Sequence, residues 1–365
     1  MSCDFHALAT PGVQRLHPYE PGKPMEELER ELGIRDVVKL ASNENPLGPS
    51  PRALQAIQAH LPELARYPDG NGYVLKQALS HRLDVPAEQL TLGNGSNDVL
   101  EFIVRVFATP AHEVVCSQHA FAVYPISSQS VGARVVSVPA RDYGHDLQAM
   151  ADAINERTCL VFIANPNNPT GTWVDADALA GFLERVPEHV LVVVDEAYRE
   201  YVDEPDYPDC VQWLPAHANL VVTRTFSKAY GLAGLRIGYA VSNPQVADLM
   251  NRVRQPFNVN SLGLVAAAAA LEDREHVERG LAVNRTGMRF LRDNLQRLGL
   301  QYIPSIGNFL TARMPRSGAE VYQALLREGV IVRPLGAYGM PDHLRISIGT
   351  EAENRRLVAA LERVL

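Results

Sequence analysis

Two apolar periods alternate along most of this chain. The segments "PRALQAIQAHL" (51–61) and "DVLEFIVRVFA" (98–108) repeat apolar residues at helical spacing, and in the second, positions 99, 100, 103, 104 and 107 form one face. Between such segments lie short β-branched runs: "EVVC" (113–116), "RVVSV" (134–138), "CLVFIA" (159–164), "VLVVVDE" (190–196), "NLVVT" (219–223) and "RIGYAV" (236–241). Strands that are apolar on both faces need cover on both faces, so the pattern predicts an α/β fold with a mainly parallel sheet flanked by helices. Helix starts are marked by Ser50 before Pro51, by Asp146 before "LQAMADAIN" and by Asp175 before "ADALAGFLERV". After residue 260 the rhythm changes. A helical stretch near 274–298 leads to "NFLTARM", a helix near 318–328, "GVIVRP", "HLRISIG" and a last helix from about 352, which together read as a smaller α+β domain. The first 45 residues are rich in proline and turn formers and hold one predicted helix, "PMEELERELG". The expected division is an N-terminal arm (1–45) that belongs to the small domain, a large domain (46–270) and a C-terminal small domain (271–365).

A length of 365 residues suits two cores better than one. Apolar residues make up 46% and charged residues 21%, as in ordinary soluble proteins, and the net charge of −8 leaves no electrostatic footprint for nucleic acid or an anionic membrane. The longest small-apolar run, "LVAAAAAL" (264–271), is too short to span a bilayer, and the N-terminal residues lack the pattern of a signal peptide. The cysteines at 3, 116, 159 and 210 form no C-x-x-C pair, so neither a disulfide framework nor a metal site is expected. These features predict a reduced, cytoplasmic protein.

Chemistry enters where the apolar runs stop. "NPNNPTG" follows 159–164, Asp195 and Tyr198 end and follow 190–194, and Ser227 and Lys228 follow 219–226. If those three strands are parallel, these side chains converge at the carboxyl edge of the sheet, where open α/β sheets bind ligands. A fourth cluster, "LGNGSND" (92–98), reads as a turn that leads into a helix and offers free N–H groups to an anion. Taken singly, each feature has an ordinary structural explanation. The informative feature is their joint occurrence in this order.

In that order, "ANPNNPTG", "VVVDEAY" and "TFSKAYGLAGLRIGY" resemble the fold-type I aminotransferases that use pyridoxal 5'-phosphate, the aspartate-aminotransferase superfamily. The resemblance extends over nearly the whole chain. "HPYEPGKP", "KLASNENPLGPSP", "ARYPDGNGYVLKQAL", "GNGSND" and "DYGHDL" are similar to the histidinol-phosphate aminotransferase subgroup. The resemblance implies a large domain around a seven-stranded sheet and a role for each matching residue. Lys228 would form the Schiff base with the cofactor, and Asp195 would pair with the pyridine nitrogen. Tyr198 and Asn168 would hydrogen-bond the phenolic oxygen. Ser227, Arg236, Ser96 and Asn97 would hold the cofactor phosphate, and Phe121 would stack on the ring. Tyr67 would reach the neighbouring subunit's cofactor phosphate in a homodimer. Arg345 would grip the substrate α-carboxylate. This chain departs from the family pattern at Asn97–Asp98, at Phe121, where tyrosine is common, and at "PFNVN" near 257.

The chemistry explains the residue types. Lysine alone supplies a primary amine, which must be neutral or already condensed to react near pH 7. A buried carboxylate favours a protonated pyridine, and a guanidinium fork matches a phosphate or carboxylate. The resemblance implies transfer of an amino group between histidinol phosphate and 2-oxoglutarate, and since each carries a second anion, Arg333, and secondarily Tyr19, are the candidate groups to meet it. Three other readings share much of the machinery: an aromatic amino-acid aminotransferase, a threonine-phosphate decarboxylase and a regulatory protein with an aminotransferase-like sensor. The third would need a DNA-binding segment, for which the pattern leaves no room.

Overall fold

The computed structural model describes residues 3–19 and 21–365. Its strands are β1 Val38–Lys39, β2 Leu90–Asn94, β3 Glu113–Ser117, β4 Arg134–Val138, β5 Thr158–Ala164, β6 Leu191–Asp195, β7 Leu220–Thr225, β8 Ile237–Ser242, β9 Tyr302–Ile303, β10 Phe309–Arg313, β11 Val330–Ile331, β12 Arg333–Pro334 and β13 His343–Ser347. A seven-stranded sheet runs in the order β2-β8-β7-β6-β5-β3-β4. Strands β4, β3, β5, β6 and β7 are mutually parallel, and β8 runs antiparallel to both β7 and β2. The six predicted runs are all strands. The parallel arrangement of β5, β6 and β7, on which the convergence of polar clusters depended, is present.

Consecutive residues of the central strands enter two different cores, as strand geometry requires. Val161, Ile163, Val192, Val194 and Val222 join one apolar layer, and Leu160, Phe162, Leu191, Val193 and Val221 join the other. The predicted helix starts are capped as expected. Ser50 Oγ accepts from Ala53 N at 3.1 Å, Asp146 from Ala149 N at 3.0 Å and Asp175 from Ala178 N at 2.8 Å. One segment differs in part from its reading: the first residues of "LGNGSND", read as a turn, belong to edge strand β2, while Ser96 opens a helix as expected. The strand is too short for its period to stand out, and its register is set by β8, about 150 residues away in the chain.

A second sheet, β12-β13-β10-β9, is antiparallel, and it packs Leu310, Ala312, Leu344 and Ile346 against Leu357 and Leu361 of the last helix. That helix, Glu351–Val364, starts with a Thr350–Glu353 capping box. The run "GVIVRP" divides between two sheets. Its first half, β11, pairs in parallel with β1, so the N-terminal segment joins this part of the molecule. Its second half, β12, pairs with β13, where Pro334 can donate no hydrogen bond to extend the ladder. Among the described residues no helix is long and apolar enough to cross a membrane, and no cluster of ligating side chains could hold a metal.

Candidate active site

The carboxyl ends of β5, β6 and β7 open into a cleft of about 400 Å³, a volume that suits a small-molecule ligand. Tyr19, Ser96, Asn97, Phe121, Asn168, Asp195, Tyr198, Ser227, Lys228, Arg236, Arg333 and Arg345 all line it. Of the residues the sequence pointed to, only Tyr67 is absent. That residue is 82% exposed, outside the cleft lining, and its ring stacks on Phe257 with centroids 4.7 Å apart.

At the deep end Asp195 is buried, and burial raises its carboxyl above the usual range. Two hydrogen bonds oppose that rise, from Tyr124 Oη at 2.8 Å and Thr223 Oγ1 at 2.9 Å. A carboxylate in this position gains most from a cationic partner within the cleft. Neither donor was singled out from the sequence. Thr223 is the lateral neighbour of Asp195 across β6 and β7, a relation only the sheet register supplies. Tyr124 lies three residues beyond Phe121, at helical spacing, and the two rings meet edge to face at 5.8 Å. That spacing was the one available signal.

Lys228 Nζ donates to Ser42 O at 2.8 Å, and its pKa is lowered to about 7, first by burial and then by Arg345. At neutral pH a large share of this amine is unprotonated and nucleophilic. Tyr198 Oη accepts from Asn43 Nδ2 at 2.9 Å, and burial pushes its phenol up to about 12.

One side of the cleft is a cradle for an anion. The helix Ser96–Phe107 begins at Gly95 with no side-chain cap, so its first N–H groups are available to a ligand. Arg236, in left-handed backbone conformation, donates to Ser227 Oγ at 3.4 Å, and Ser227 also accepts from Thr225 Oγ1 at 3.0 Å. Two glycines permit this closeness. A Cβ on Gly95 would lie 2.5 Å from Arg236 Nη2, and one on Gly238 would lie 2.2 Å from Ser96 N. Hydroxyls, a guanidinium and a helix N-terminus suit a phosphate. Together with the buried carboxylate and the low-pKa amine, this donor set fits pyridoxal 5'-phosphate.

The opposite end is cationic. Arg345 and Arg333 are direct cross-strand partners on β13 and β12, hence on one face of the sheet, where like charges repel. Arg345 Nη1 donates to Asn168 Oδ1 at 2.6 Å, and its Nη2 donates to Ala41 O. The Arg333 guanidinium lies 5.5 Å from the centre of the Tyr19 ring. With its oxygen given to Arg345, the Asn168 amide keeps its N–H₂ to donate. Burial lowers the pKa of Arg345, so an anion at this end would relieve both desolvation and repulsion.

The sequence matches the family model for class I and II aminotransferases over residues 35–361. It is 60% identical to histidinol-phosphate aminotransferase 1 of Nitrosococcus oceani, over 99% of this chain and 98% of that one. It is 59% identical to histidinol-phosphate aminotransferase 2 of Pseudomonas aeruginosa, over 99% of both chains. In structure it is similar to histidinol-phosphate aminotransferase from Sinorhizobium meliloti in complex with pyridoxal-5'-phosphate, with a TM-score of 0.90 and 32% identity over 97% of this chain and 96% of that one. A single mutant of aspartate aminotransferase from Thermus thermophilus shares the fold, with a TM-score of 0.85 and 23% identity over 98% of this chain and 99% of that one. This chain belongs to the class I and II aminotransferase family.

Proposed function

We propose that this protein transfers the amino group of L-histidinol phosphate to 2-oxoglutarate, giving imidazole acetol phosphate and L-glutamate, in histidine biosynthesis in the cytoplasm. The observation that carries this reading is the near-60% identity, end to end, with enzymes named for that reaction. The cleft supports it chemically. One substrate carries a phosphate and the other a second carboxylate, so a pocket serving both needs cationic groups beyond those that hold the cofactor. Arg333 beside Arg345 meets that need. Neither an aromatic amino-acid aminotransferase nor the decarboxylase is favoured by those identities.

When bound, pyridoxal 5'-phosphate withdraws electrons from the substrate α-carbon. Asp195 would hold the proton on its ring nitrogen, while Tyr198 and Asn168 would donate to its phenolic oxygen. Ser96, Asn97, Ser227 and Arg236 would anchor its phosphate, and Phe121 would cover its ring. Lys228 would be the covalent anchor, and its freed amine would serve as the general base and acid that moves the substrate's α-proton. Arg345 receives the α-carboxylate of glutamate, and Arg333 with Tyr19 meets the substrate phosphate or distal carboxylate. In this division of labour the 46–270 unit holds the cofactor, and 1–45 with 271–365 selects the substrate.

The working unit is a homodimer in which Tyr67 reaches the neighbour's cofactor phosphate. The exposed apolar side chains of Leu64, Tyr67, Tyr73, Val74 and Phe257 support that reading, since such a patch is well suited to burial against a second copy. The deciding experiment is a steady-state comparison of histidinol phosphate, phenylalanine, tyrosine and threonine phosphate as donors. Histidinol phosphate should have the highest kcat/KM. A higher value for phenylalanine, or release of carbon dioxide from threonine phosphate, would overturn the assignment.

A further inference from the structure

Within "KLASNENPLG", three consecutive residues each engage a different side chain of the cleft. Ala41 O accepts from Arg345, Ser42 O accepts from Lys228, and Asn43 Nδ2 donates to Tyr198 Oη. Asn43 is 1% exposed and left-handed, with φ of 55°, a conformation that asparagine tolerates better than most residues. Its backbone N–H donates to Ser347 Oγ at 2.8 Å, its carbonyl accepts from Asn308 Nδ2 at 3.0 Å, and its Oδ1 accepts from Ser347 Oγ at 2.9 Å.

This network orients the amide. Ser347 Oγ already accepts the Asn43 backbone N–H, so its own hydrogen goes to the amide oxygen. The N–H₂ end therefore faces Tyr198. A phenol oxygen that accepts from one side must direct its single hydrogen elsewhere.

We infer that Asn43 is a positioning residue that sets the hydrogen-bond polarity of Tyr198, aiming the phenol's proton into the cleft at the cofactor's phenolic oxygen. The inference rests on the proposed role of Tyr198 as a cofactor contact. It gives a function to the asparagine of a segment that belongs to neither strand-end motif. It also ties that function to the small sheet through Ser347 and Asn308. A donor aimed at the phenolic oxygen favours its ionised form and lowers the pH midpoint at which the bound chromophore changes colour.

The test is an absorbance titration of purified, cofactor-saturated enzyme without substrate. Tyr198→Phe sets the scale and should raise the midpoint by about one pH unit or more. Asn43→Asp keeps shape and backbone but replaces the donor with an acceptor, which turns the phenol's hydrogen back on itself. It should raise the midpoint by a similar amount, and in the Tyr198→Phe background it should add little. If Tyr198→Phe leaves the midpoint in place, the cofactor role of Tyr198 fails and the inference falls with it. If Tyr198→Phe moves the midpoint but Asn43→Asp does not, the cofactor role stands and the inference alone is wrong. An equal shift by Asn43→Asp in both backgrounds would show only the field of an added charge, and would also overturn it. Asn43→Gly, which tolerates the same backbone and adds no charge, covers the case in which the aspartate variant does not fold. Its shift should likewise depend on the Tyr198 hydroxyl, and a shift independent of that hydroxyl overturns the inference.

Discussion

The two ends of the cleft are built differently. The deep end, around Asp195, Lys228, Ser227 and Arg236, is assembled from short motifs at the ends of adjacent strands: Asp195 ends β6, Ser227 and Lys228 follow β7, and Arg236 immediately precedes β8. The outer end, around Arg345 and Arg333, is assembled across the chain. Ala41 and Arg345, which are hydrogen-bonded, lie 304 residues apart. The deep end offers one fixed chemistry, whereas the outer end is a surface of cations whose neighbours decide what it admits. On the proposed function, catalysis and selection divide along this contrast: damage to the deep end should cost all substrates alike, and damage to the outer end should discriminate among them.

That separation can be broken by measurement. The largest effect belongs to Lys228→Ala, which should lower kcat by roughly 10⁴-fold for every donor and abolish covalent cofactor attachment seen by mass spectrometry after borohydride reduction. Asp195→Asn should follow, with a loss of roughly 10²- to 10³-fold in kcat that is again equal across donors, because it removes charge stabilisation from a buried site. Unequal losses in either case would blur the proposed boundary.

Arg345→Ala should raise KM for glutamate by roughly 10²-fold, as expected for a truncated buried ion-pairing group. It should leave the absorbance of the bound cofactor in place.

The pH dependence sharpens the deep end. With the Lys228 pKa lowered to about 7, the amine is protonated and unreactive below that pH and neutral above it. The rate of cofactor capture by stripped enzyme, followed by stopped-flow absorbance, should therefore rise by about tenfold per pH unit up to pH 7 and then level off. A plateau reached only near pH 10 would mean that burial does not depress this amine. The smallest and most selective effect is that of Arg333→Ala, which should cost histidinol phosphate roughly tenfold in kcat/KM while phenylalanine loses little. Equal losses would remove its role in selection.

How much of this was legible in the residues depends on the range of the interactions. The strands 113–117, 158–164, 191–195 and 220–225 and their flanking helices follow from local apolar period and caps, because those signals lie within a few residues of one another. Asp195, Ser227 and Lys228 follow from their position at or just after apolar runs, whereas Arg236 was marked only by the family motif. Edge strand β2 did not follow, since its pairing with β8 is a tertiary fact. Tyr124 and Thr223, the two donors to Asp195, were likewise hidden: one needs a helix to swing a ring over the sheet, and the other needs the lateral register of β6 and β7. Tyr67 is the reverse case. It was marked by its motif, and it is absent from the cleft of its own chain.

The sequence alone determined the alternation of elements, the class of sheet and the set of groups gathered at its carboxyl edge, because secondary structure and strand direction are written in short-range patterns. Only the tertiary structure decided the electrostatics of those groups. A lysine's pKa falls to about 7, a carboxyl's rises and an asparagine meets a phenol because distant segments bury them and choose their partners, and neither burial nor partnership is a local property of a chain.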